Sequence, residues 1–260
     1  MQLADRVAII TGASTGIGEA LARLFAAEGA RVALAARSEE KLRALAAELG
    51  ADKALAVPTD VADPAQVERL VAKTVERFGG VDVLVNNAGI GLYSRLEDTD
   101  WEHFRQMWEV NFFGALRLTR AALPHLKQRR GTVVNISSVA GKVPLPYMGG
   151  YCATKFALNA LSDALRMELA HAGVRVLTVC PGRVRTQFHL NAYRDSENLP
   201  DVLKKRTYAG IPPERVARAT LRALRWNQRE VVVPWALRWL TGFRGLFPAF
   251  TDRMLVRLLR

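Results

Sequence analysis

The sequence predicts a single α/β domain built around a seven-stranded parallel sheet with helices on both faces. Three observations predict this fold: apolar strand-like runs alternate with segments of helical periodicity, the runs are apolar on both faces, and neither a linker nor a repeat divides the chain. A chain of 260 residues, half of them apolar, has room for one sizeable core. We therefore expect one doubly wound domain over residues 1–233, followed by a basic, amphipathic C-terminal extension over residues 234–260.

The predicted strands are rich in Val, Ile, Leu and Ala at successive positions, as strands buried between two helix layers must be. They span residues 6–11, 31–36, 53–58, 81–86, 131–137, 175–180 and 230–233. Between them, helix ends are readable. Ser38 is expected to cap a helix that closes at Gly50, and Asp63, with Pro64 and Gln66 behind it, is expected to cap the next helix.

The composition excludes several classes of protein. The first residues, MQLADRVAIITG, lead straight into a strand-like run without the regions of a signal peptide, and no stretch approaches the roughly 18 apolar residues of a spanning helix. Cys152 and Cys180, the two cysteines, provide neither a disulfide framework nor metal-ligand spacing, and the four histidines show no such spacing either. We therefore expect a cytoplasmic protein without a metal site.

A glycine-rich turn directly follows the first predicted strand. Gly12, Gly16 and Gly18 lie in the run TGASTGIG, which leads into a helical segment. Glycines at such a turn let the backbone approach a pyrophosphate, and the helix N-terminus faces the phosphates with free N–H groups. Three spaced glycines alone are a weak signal and also fit a turn that binds no ligand.

The end of the second strand indicates which dinucleotide would bind there. A site for NAD carries a carboxylate at this position, whereas a site for NADP carries a cation that binds the 2′-phosphate. This sequence has Ala36, Arg37 and Ser38, so the acid is missing and an arginine stands beside a hydroxyl. NADP(H) is favoured, the alternative being that Arg37 is only a solvated residue at a helix start.

The strongest chemical signal is the pair Tyr151 and Lys155. Their spacing places a phenol and an ammonium on one helix face, where the cation should lower the pKa of the tyrosine toward the range useful for proton transfer. Ser137 and Ser138 end the fifth strand, at the carboxyl edge where ligands bind in such sheets. Because adjacent strand residues point to opposite faces, one of the two hydroxyls should line the site, and we expect it to be Ser138.

Together these motifs resemble those of the short-chain dehydrogenase/reductase family, from Asp5 to about Val233. The resemblance includes the glycine pattern, Asp60-Val61, and Asn86-Asn87-Ala88-Gly89 after the fourth strand. It also includes a loop of Pro181, Gly182, Val184 and Thr186, which in the family fixes the nicotinamide carboxamide. The catalytic set that it implies is Asn111, Ser138, Tyr151 and Lys155, with the family's usual spacing of thirteen residues between serine and tyrosine.

The resemblance implies an active enzyme of the Rossmann type that uses NADP(H) to interconvert a ketone or aldehyde and an alcohol, as a homodimer or homotetramer. Tyr151 would donate the proton, Ser138 would hydrogen-bond the carbonyl oxygen, Lys155 would hold the nicotinamide ribose, and Asn111 would anchor a proton path to solvent. The implied cofactor-binding residues are Gly12, Ser14, Thr15, Gly16, Ile17, Gly18, Arg37, Ser38, Asp60, Val61, Asn87, Ala88, Gly89, Tyr151, Lys155, Pro181, Gly182, Val184 and Thr186. The alternative is a catalytically idle NADP(H)-binding regulator, which a missing Tyr151 or Lys155 would have favoured.

Two segments, residues 141–150 and 187–210, are expected to determine the substrate. The first is mostly apolar, which favours an apolar or lipid-like carbonyl compound over a small charged one. His189 lies in the second segment, where we expect it to be a bystander.

The basic charge is concentrated near the C-terminus. Residues 187–260 carry 14 basic and 6 acidic side chains, which is +8 of the net charge of +12. The tail over 234–260 interleaves five arginines with Trp235, Trp239, Phe243, Phe247 and Phe250. If residues 248–260 are helical, one stripe holds Phe250, Met254 and Leu258, and another holds Arg253, Arg257 and Arg260.

Such a tail is typical of a helix that lies on a membrane surface. It is equally typical of an oligomer interface or of a lid over the substrate site. We therefore expect a cytoplasmic protein that either contacts membranes peripherally through residues 234–260 or uses them within its own assembly. Nucleic-acid binding has only the charge in its favour, and we expect none.

Overall fold

A parallel sheet lies at the centre of the computed structural model, which describes residues 1–197, 199–204 and 210–258. Within these residues the strands are β1 (Val7–Thr11), β2 (Arg31–Ala36), β3 (Ala54–Pro58), β4 (Val83–Asn86), β5 (Leu92–Tyr93), β6 (Thr132–Ile136), β7 (Arg175–Pro181), β8 (Tyr193–Arg194) and β9 (Glu230–Val233). Seven of them form the main sheet, in the order β3-β2-β1-β4-β6-β7-β9, and each neighbouring pair is parallel. The predicted doubly wound α/β fold is therefore confirmed.

The helices of the described residues cover both faces of this sheet. They are α1 (Gly16–Ala27), α2 (Glu39–Leu49), α3 (Pro64–Phe78), α4 (Trp101–Trp108), α5 (Ala115–Arg129), α6 (Gly149–Glu168), α7 (Phe188–Asn191), α8 (Asp201–Lys204), α9 (Pro213–Arg225), α10 (Leu237–Leu246) and α11 (Pro248–Leu258). One core lies between the sheet and α1, α2 and α9, and a second lies on the opposite face against α3 and α5. Neighbouring residues of β1 serve different cores, Ile9 one and Ile10 the other, which explains why the strands are apolar throughout.

Each predicted strand is present, with ends that differ by at most two residues. The largest difference is at the fourth strand, which begins at Val83 rather than at residue 81. The strand predicted to reach residue 137 ends at Ile136, because the chain then enters a 3₁₀ turn over Val139–Gly141.

The predicted helix caps have different outcomes. Asp63 caps α3 as expected, accepting hydrogen bonds from the N–H groups of Ala65 and Gln66. The side chain of Gln66, however, accepts from the Asp60 N–H at 2.9 Å, because the Asp63 N–H already donates to the Asp60 carbonyl. Ser38 is the N-cap residue of α2 as predicted, but its side chain makes no capping bond. The first N–H groups of α2 are therefore open.

Two features of the fold have no signal in the sequence. The short strands β5 and β8 pair in parallel as a second, two-stranded sheet. A π-helical segment over Glu109–Gly114 joins α4 to α5. Two-residue strands have no measurable periodicity, and a π-helical turn shifts the pattern of a helix by one residue, so neither can be read from spacing.

The tail forms α10 and α11, which pack against each other. The helix predicted for residues 248–260 is described as far as Leu258, and Arg260, the last residue of the predicted basic stripe, lies outside the described residues. Thr251 and Leu255 are the buried side chains of α11, whereas Phe250, from the predicted apolar stripe, is 60% exposed. None of the described helices combines the length and hydropathy that a membrane-spanning helix needs.

Candidate active site

The turn between β1 and α1 has the shape that its glycines permit. Gly12 and Gly16 both have φ of +63°, and a Cβ at Gly18 would lie 2.2 Å from the Gly12 carbonyl oxygen. Thr15, the residue that precedes α1, makes no side-chain cap, so the N–H groups of the first turn of α1 are open to an anion. The structure thus leaves backbone donors open at the turn where the sequence predicts contact with a pyrophosphate.

Asn87 braces this turn from the neighbouring strand. Its side-chain amide donates to the Thr11 carbonyl at 2.8 Å, and its backbone N–H donates to the Thr11 hydroxyl at 2.9 Å. The Ala88 N–H donates to the same hydroxyl at 3.0 Å. The turn after β4 and the glycine-rich turn therefore form one rigid unit at the carboxyl edge of the sheet.

A cavity of about 750 Å³ runs along this edge, within the range of pockets that bind small ligands. Its lining includes every predicted cofactor residue except Gly18, and every predicted catalytic residue except Asn111. Arg37, Ser38 and Lys41 lie at one end of the lining, where β2 meets α2. Tyr151 and Lys155 lie further along, on α6.

Tyr151 and Lys155 are held in place by burial. The Lys155 ammonium donates to the Ile136 carbonyl at 3.0 Å and lies 5.8 Å from the centre of the Tyr151 ring. Ser138 accepts a hydrogen bond from the Ala140 N–H at 3.0 Å, and its hydroxyl makes a long contact of 3.4 Å with the Pro181 carbonyl. Ser137 lines the cavity as well, so the expectation that only one of the two serines does so is wrong. Its hydroxyl, however, donates to the Lys155 carbonyl at 3.4 Å, so the two hydroxyls point different ways.

The pKa values of this group follow from its burial. Burial raises the pKa of the Tyr151 phenol well above its usual range, and a hydrogen bond with Ser138 opposes that rise. Burial is the largest influence on the Tyr151 pKa, and Lys155 is not among the groups that lower it, contrary to the expectation from spacing. Burial also lowers the pKa of Lys155 to about 8, because the charged ammonium loses its solvation.

Asn111 lies in the π-helical segment, beside the site rather than on the cavity wall. Its side-chain oxygen accepts from the Ile90 N–H at 2.8 Å, and its side-chain nitrogen donates to the Ile90 carbonyl at 2.9 Å and to the Thr154 hydroxyl at 3.2 Å. These bonds fix the loop that follows β4. Both hydrogens of the side-chain amide are thus used, while its oxygen can accept one further hydrogen bond. The residue lies in a π-helical segment, a kind of segment frequent at functional sites.

The loop after β7 lies between two parts of the cavity. We call them the cofactor half, lined by the glycine-rich turn and Arg37, and the substrate half, lined by Leu145, Met148, Phe188 and His189. Gly182 packs against Leu237 of α10, since a Cβ there would lie 2.5 Å from the Leu237 Cδ1. The methyl group of Thr186 lies against Gly16, and the Thr186 hydroxyl accepts from the Phe188 N–H at 3.3 Å, at the start of α7. Val184 forms a bridge with Ile211.

Both segments predicted to determine the substrate reach the cavity. Leu145 and Met148 line it from the first, and Phe188 and His189 from the second, together with Tyr193 on β8. Residues 198 and 205–209 of the second segment lie outside the described residues. Sequence reasoning missed the contributions of Ile90 and Tyr93 to this lining, because they stand in a loop and in a two-residue strand. Leu237 also lines the cavity, so the tail reaches it, as the lid alternative requires.

The residues present fit a nicotinamide dinucleotide. The glycine turn leaves room for backbone contact with a pyrophosphate, an open helix N-terminus faces it, and a basic group lies at one end of the same cavity, with Tyr151 and Lys155 further along. Within the described parts of the chain, no group of His, Cys, Asp and Glu side chains could hold a metal ion.

Comparison with known proteins agrees with this geometry. The short chain dehydrogenase family matches residues 6–197. Dehydrogenase/reductase SDR family member 7B of Bos taurus is 38% identical over 238 residues, which cover 88% of this chain and 73% of the relative.

Two solved structures share the fold over most of their length. A short chain dehydrogenase/reductase from Burkholderia phymatum in complex with NAD has a TM-score of 0.85 at 27% identity and covers 94% of each chain. An alcohol dehydrogenase from the archaeon Thermococcus sibiricus, complexed with 5-hydroxy-NADP, has a TM-score of 0.78 at 35% identity and covers 88% of this chain and 95% of its own. The chain belongs to the short-chain dehydrogenase/reductase family of nicotinamide-dependent oxidoreductases.

Proposed function

We propose that this protein uses NADPH to reduce a ketone or aldehyde to an alcohol, with Tyr151 as the proton donor. The observation that carries the proposal is that Tyr151, Lys155 and Ser138 line the same cavity as the glycine-rich turn. A dinucleotide on that turn would extend toward the phenol, so a carbonyl compound could be held between the cofactor and Tyr151. Membership of the family supports the reaction class.

The side chains divide the work at the carbonyl group. The cofactor, when bound, supplies the hydride that the carbonyl carbon accepts. Tyr151 donates its proton to the carbonyl oxygen, and its raised pKa keeps the phenol protonated at neutral pH. Ser138 donates a hydrogen bond to the same oxygen, in place of its long contact with the Pro181 carbonyl.

Lys155 and Asn111 position the groups that take part in this chemistry. One N–H of the Lys155 ammonium is used by the Ile136 carbonyl, which aims the group and leaves its other hydrogens for the nicotinamide ribose. Asn111 holds Ile90, and thereby the loop between the cofactor and the substrate. A proton path from Tyr151 to solvent would run through Lys155 and the π-helical segment.

The preference for NADP(H) over NAD(H) rests on the end of β2. One of the related structures holds NAD and the other holds 5-hydroxy-NADP, so the family alone does not decide between the two cofactors. Here Arg37, Ser38 and Lys41 line the cavity at this point, and Ala36 stands where a site for NAD has its acid. Two cations and the open N-terminus of α2 suit a 2′-phosphate.

The preferred substrate is an apolar carbonyl compound. Ile90, Leu145, Met148, Phe188 and Leu237 supply the apolar lining beyond Tyr151. The direct test follows NADPH oxidation with aliphatic, aromatic, steroid-like and acyl-thioester ketones. We expect turnover with the larger apolar members. Tight NADPH binding without oxidation by any of them would instead favour the idle regulatory protein.

We also propose that the tail over 234–260 makes reversible contact with an anionic membrane surface. Seven large apolar side chains of the tail are between 41 and 76% exposed, namely Trp235, Trp239, Phe243, Leu246, Phe247, Phe250 and Val256. Arginines stand among them, each worth roughly 1 kcal/mol near an anionic surface. The contact would be peripheral, for a protein that is otherwise cytoplasmic.

Sedimentation with anionic vesicles tests the tail. We expect binding that high salt weakens and that the double variant Trp235→Ser/Trp239→Ser abolishes, since both indoles are exposed. Size-exclusion chromatography with light scattering is the matched measurement, because we expect a homodimer or homotetramer. An unchanged oligomer with lost vesicle binding supports the membrane contact. Absence of vesicle binding at low salt contradicts it, and a change of oligomer in the same variant would assign the surface to subunit assembly.

A further inference from the structure

Tyr93 and His189 form a hydrogen-bonded pair on the wall of the substrate half of the cavity. The Tyr93 hydroxyl lies 2.5 Å from the His189 Nδ1, and both residues line the cavity. Tyr93 is buried on β5, and His189 lies on α7, so residues 96 positions apart meet here. Neither residue has a part in proton or hydride transfer as described above.

The environment of the pair determines which nitrogen of His189 carries the proton. Burial, with the cations of Arg183 and Arg194, lowers the pKa of His189 to about 4, so the imidazole is neutral at physiological pH. Among the described residues, the Tyr93 hydroxyl has His189 as its one hydrogen-bond partner. The phenol therefore donates to Nδ1, since its buried O–H would otherwise lack an acceptor. The remaining proton then belongs to Nε2.

The His189 Nε2–H is a donor in need of an acceptor. No hydrogen bond to this nitrogen is present within the described residues, and the ring lies on the cavity wall. The ring of Phe188 is 5.4 Å from that of His189 and 5.5 Å from that of Tyr151, so the donor lies one side chain away from the reacting centre. The same wall also carries Arg183 and Arg194, so His189 lies in a polar part of the lining, beside the apolar ring of Phe188.

We propose that His189 determines specificity by donating a hydrogen bond from Nε2 to a second oxygen atom of the substrate. The preferred substrate is then not a plain ketone but a carbonyl compound with a further oxygen function, such as a keto ester, a diketone or a hydroxy ketone. This inference rests on the proposed carbonyl reduction and names the substrate class for the same site. A site with a hydrogen-bond donor aimed at the substrate discriminates against the analogue that lacks the acceptor, because that analogue displaces water from the donor without replacing its hydrogen bond.

Binding without turnover tests this inference separately from the reaction. The probes are straight-chain methyl ketones of one length, either plain or with an ester carbonyl α, β or γ to the ketone. Dissociation constants are measured on the wild-type protein saturated with whichever oxidised cofactor binds more tightly, because a ketone cannot be reduced by it. We expect one keto ester to bind at least tenfold more tightly than the plain ketone.

Two matched variants then separate specificity from structure. His189→Phe keeps an aromatic ring beside Phe188 but removes the donor, and it should abolish the preference while changing plain-ketone binding by no more than about twofold. Tyr93→Phe keeps the imidazole but no longer fixes its proton on Nε2. It should reduce the preference for the keto ester over the plain ketone only about threefold. Thermal melting checks that both variants are folded.

Three results would overturn the inference: no preference or no binding in the wild-type protein, a preference that survives in His189→Phe, or an equal weakening of plain and oxygenated ketones in that variant. The last result would show that the pair of Tyr93 and His189 only holds α7 against β5. Failure of the proposed function has a different signature, namely a binding preference for the keto ester with no oxidation of NADPH by it.

Discussion

The cofactor half and the substrate half of the cavity are built in different ways. The cofactor half is made from strand ends and from backbone that is crowded against backbone, as where Gly18 approaches the Gly12 carbonyl. The substrate half is made from side chains that meet across long stretches of sequence. His103 bonds Asp195 at 2.8 Å and stacks on Tyr193 at 3.8 Å between ring centres, which fastens the chain around β8 to α4.

This difference shows which half is free to vary. An added methyl group at Gly18 would collide with backbone, so the cofactor turn tolerates almost no change. A side-chain contact such as that between His103 and Asp195 can be replaced by another pair of residues without moving the loop that it holds. One half therefore suits a ligand of fixed shape, such as the dinucleotide, and the other can be adapted to different substrates. The predictions below test how far the two halves are independent.

The largest effect is expected where the halves meet. Tyr151→Phe should lower kcat by about a thousandfold or more, because the phenol acts in the chemical step. The dissociation constant for NADPH should change by less than about threefold, since the glycine-rich turn is untouched. Steady-state rates and a fluorescence titration of NADPH measure the two quantities. A variant that keeps a tenth of the wild-type kcat would contradict the role of Tyr151.

The two serines offer a sharper comparison within the catalytic centre. Ser138→Ala should lower kcat by about a hundredfold, because a donor to the developing oxyanion is lost. Ser137→Ala should leave kcat within about threefold, since its hydroxyl faces the Lys155 carbonyl. Single-turnover rates at saturating NADPH compare them. The reverse order of the two effects would move the oxyanion donor to Ser137.

The cofactor half can be altered without touching the substrate half. The wild-type protein should bind NADPH about 10- to 100-fold more tightly than NADH, the value of charge-assisted hydrogen bonds to a phosphate. Ala36→Asp combined with Arg37→Ala should reverse this preference, while KM for the ketone stays the same. Equal dissociation constants for both cofactors in the unmodified protein would refute the assignment of Arg37.

The smallest effect concerns pH. The pKa of Lys155 is lowered to about 8, so its charge is present below pH 8 and is lost as the pH rises through that value. The anionic cofactor favours the charged form, so its dissociation constant should be flat below pH 8 and should rise above it, by less than tenfold per unit. Titrations between pH 6.5 and 9.5 measure this. Lys155→Met should show no such rise, and a flat wild-type profile would assign the ribose contact to another group.

The sequence predicts the main fold and most of the cofactor half because their signals are local. Apolar runs on both faces mark the buried strands, and the glycines, Arg37 and the pair at 151 and 155 lie within a few residues of their strand or helix. All but one of the implied cofactor residues line the cavity. The exception, Gly18, supports the turn from within.

The substrate half could not be predicted in the same way. Tyr93 stands in a strand of two residues, and its partner His189 is 96 positions away, so no spacing rule links them. The same limit explains the failed expectation for the Tyr151 pKa. Spacing shows that Lys155 is near, but only the packed structure shows that burial is the larger influence. Long-range contacts and solvation are properties of the folded chain and not of any motif.

The contact between Thr186 and Gly16 connects the two halves of the cavity through one residue. Thr186 touches the phosphate-binding turn with its methyl group and, through its hydroxyl, begins the helix that carries His189. A dinucleotide bound to the turn would therefore also restrict the movement of α7, which lines the substrate half of the cavity. Free-energy linkage makes that influence mutual, because whatever the first ligand does for the second the second does for the first. We therefore expect the oxidised cofactor to tighten the binding of a ketone, and the ketone to tighten the binding of the cofactor, by the same factor.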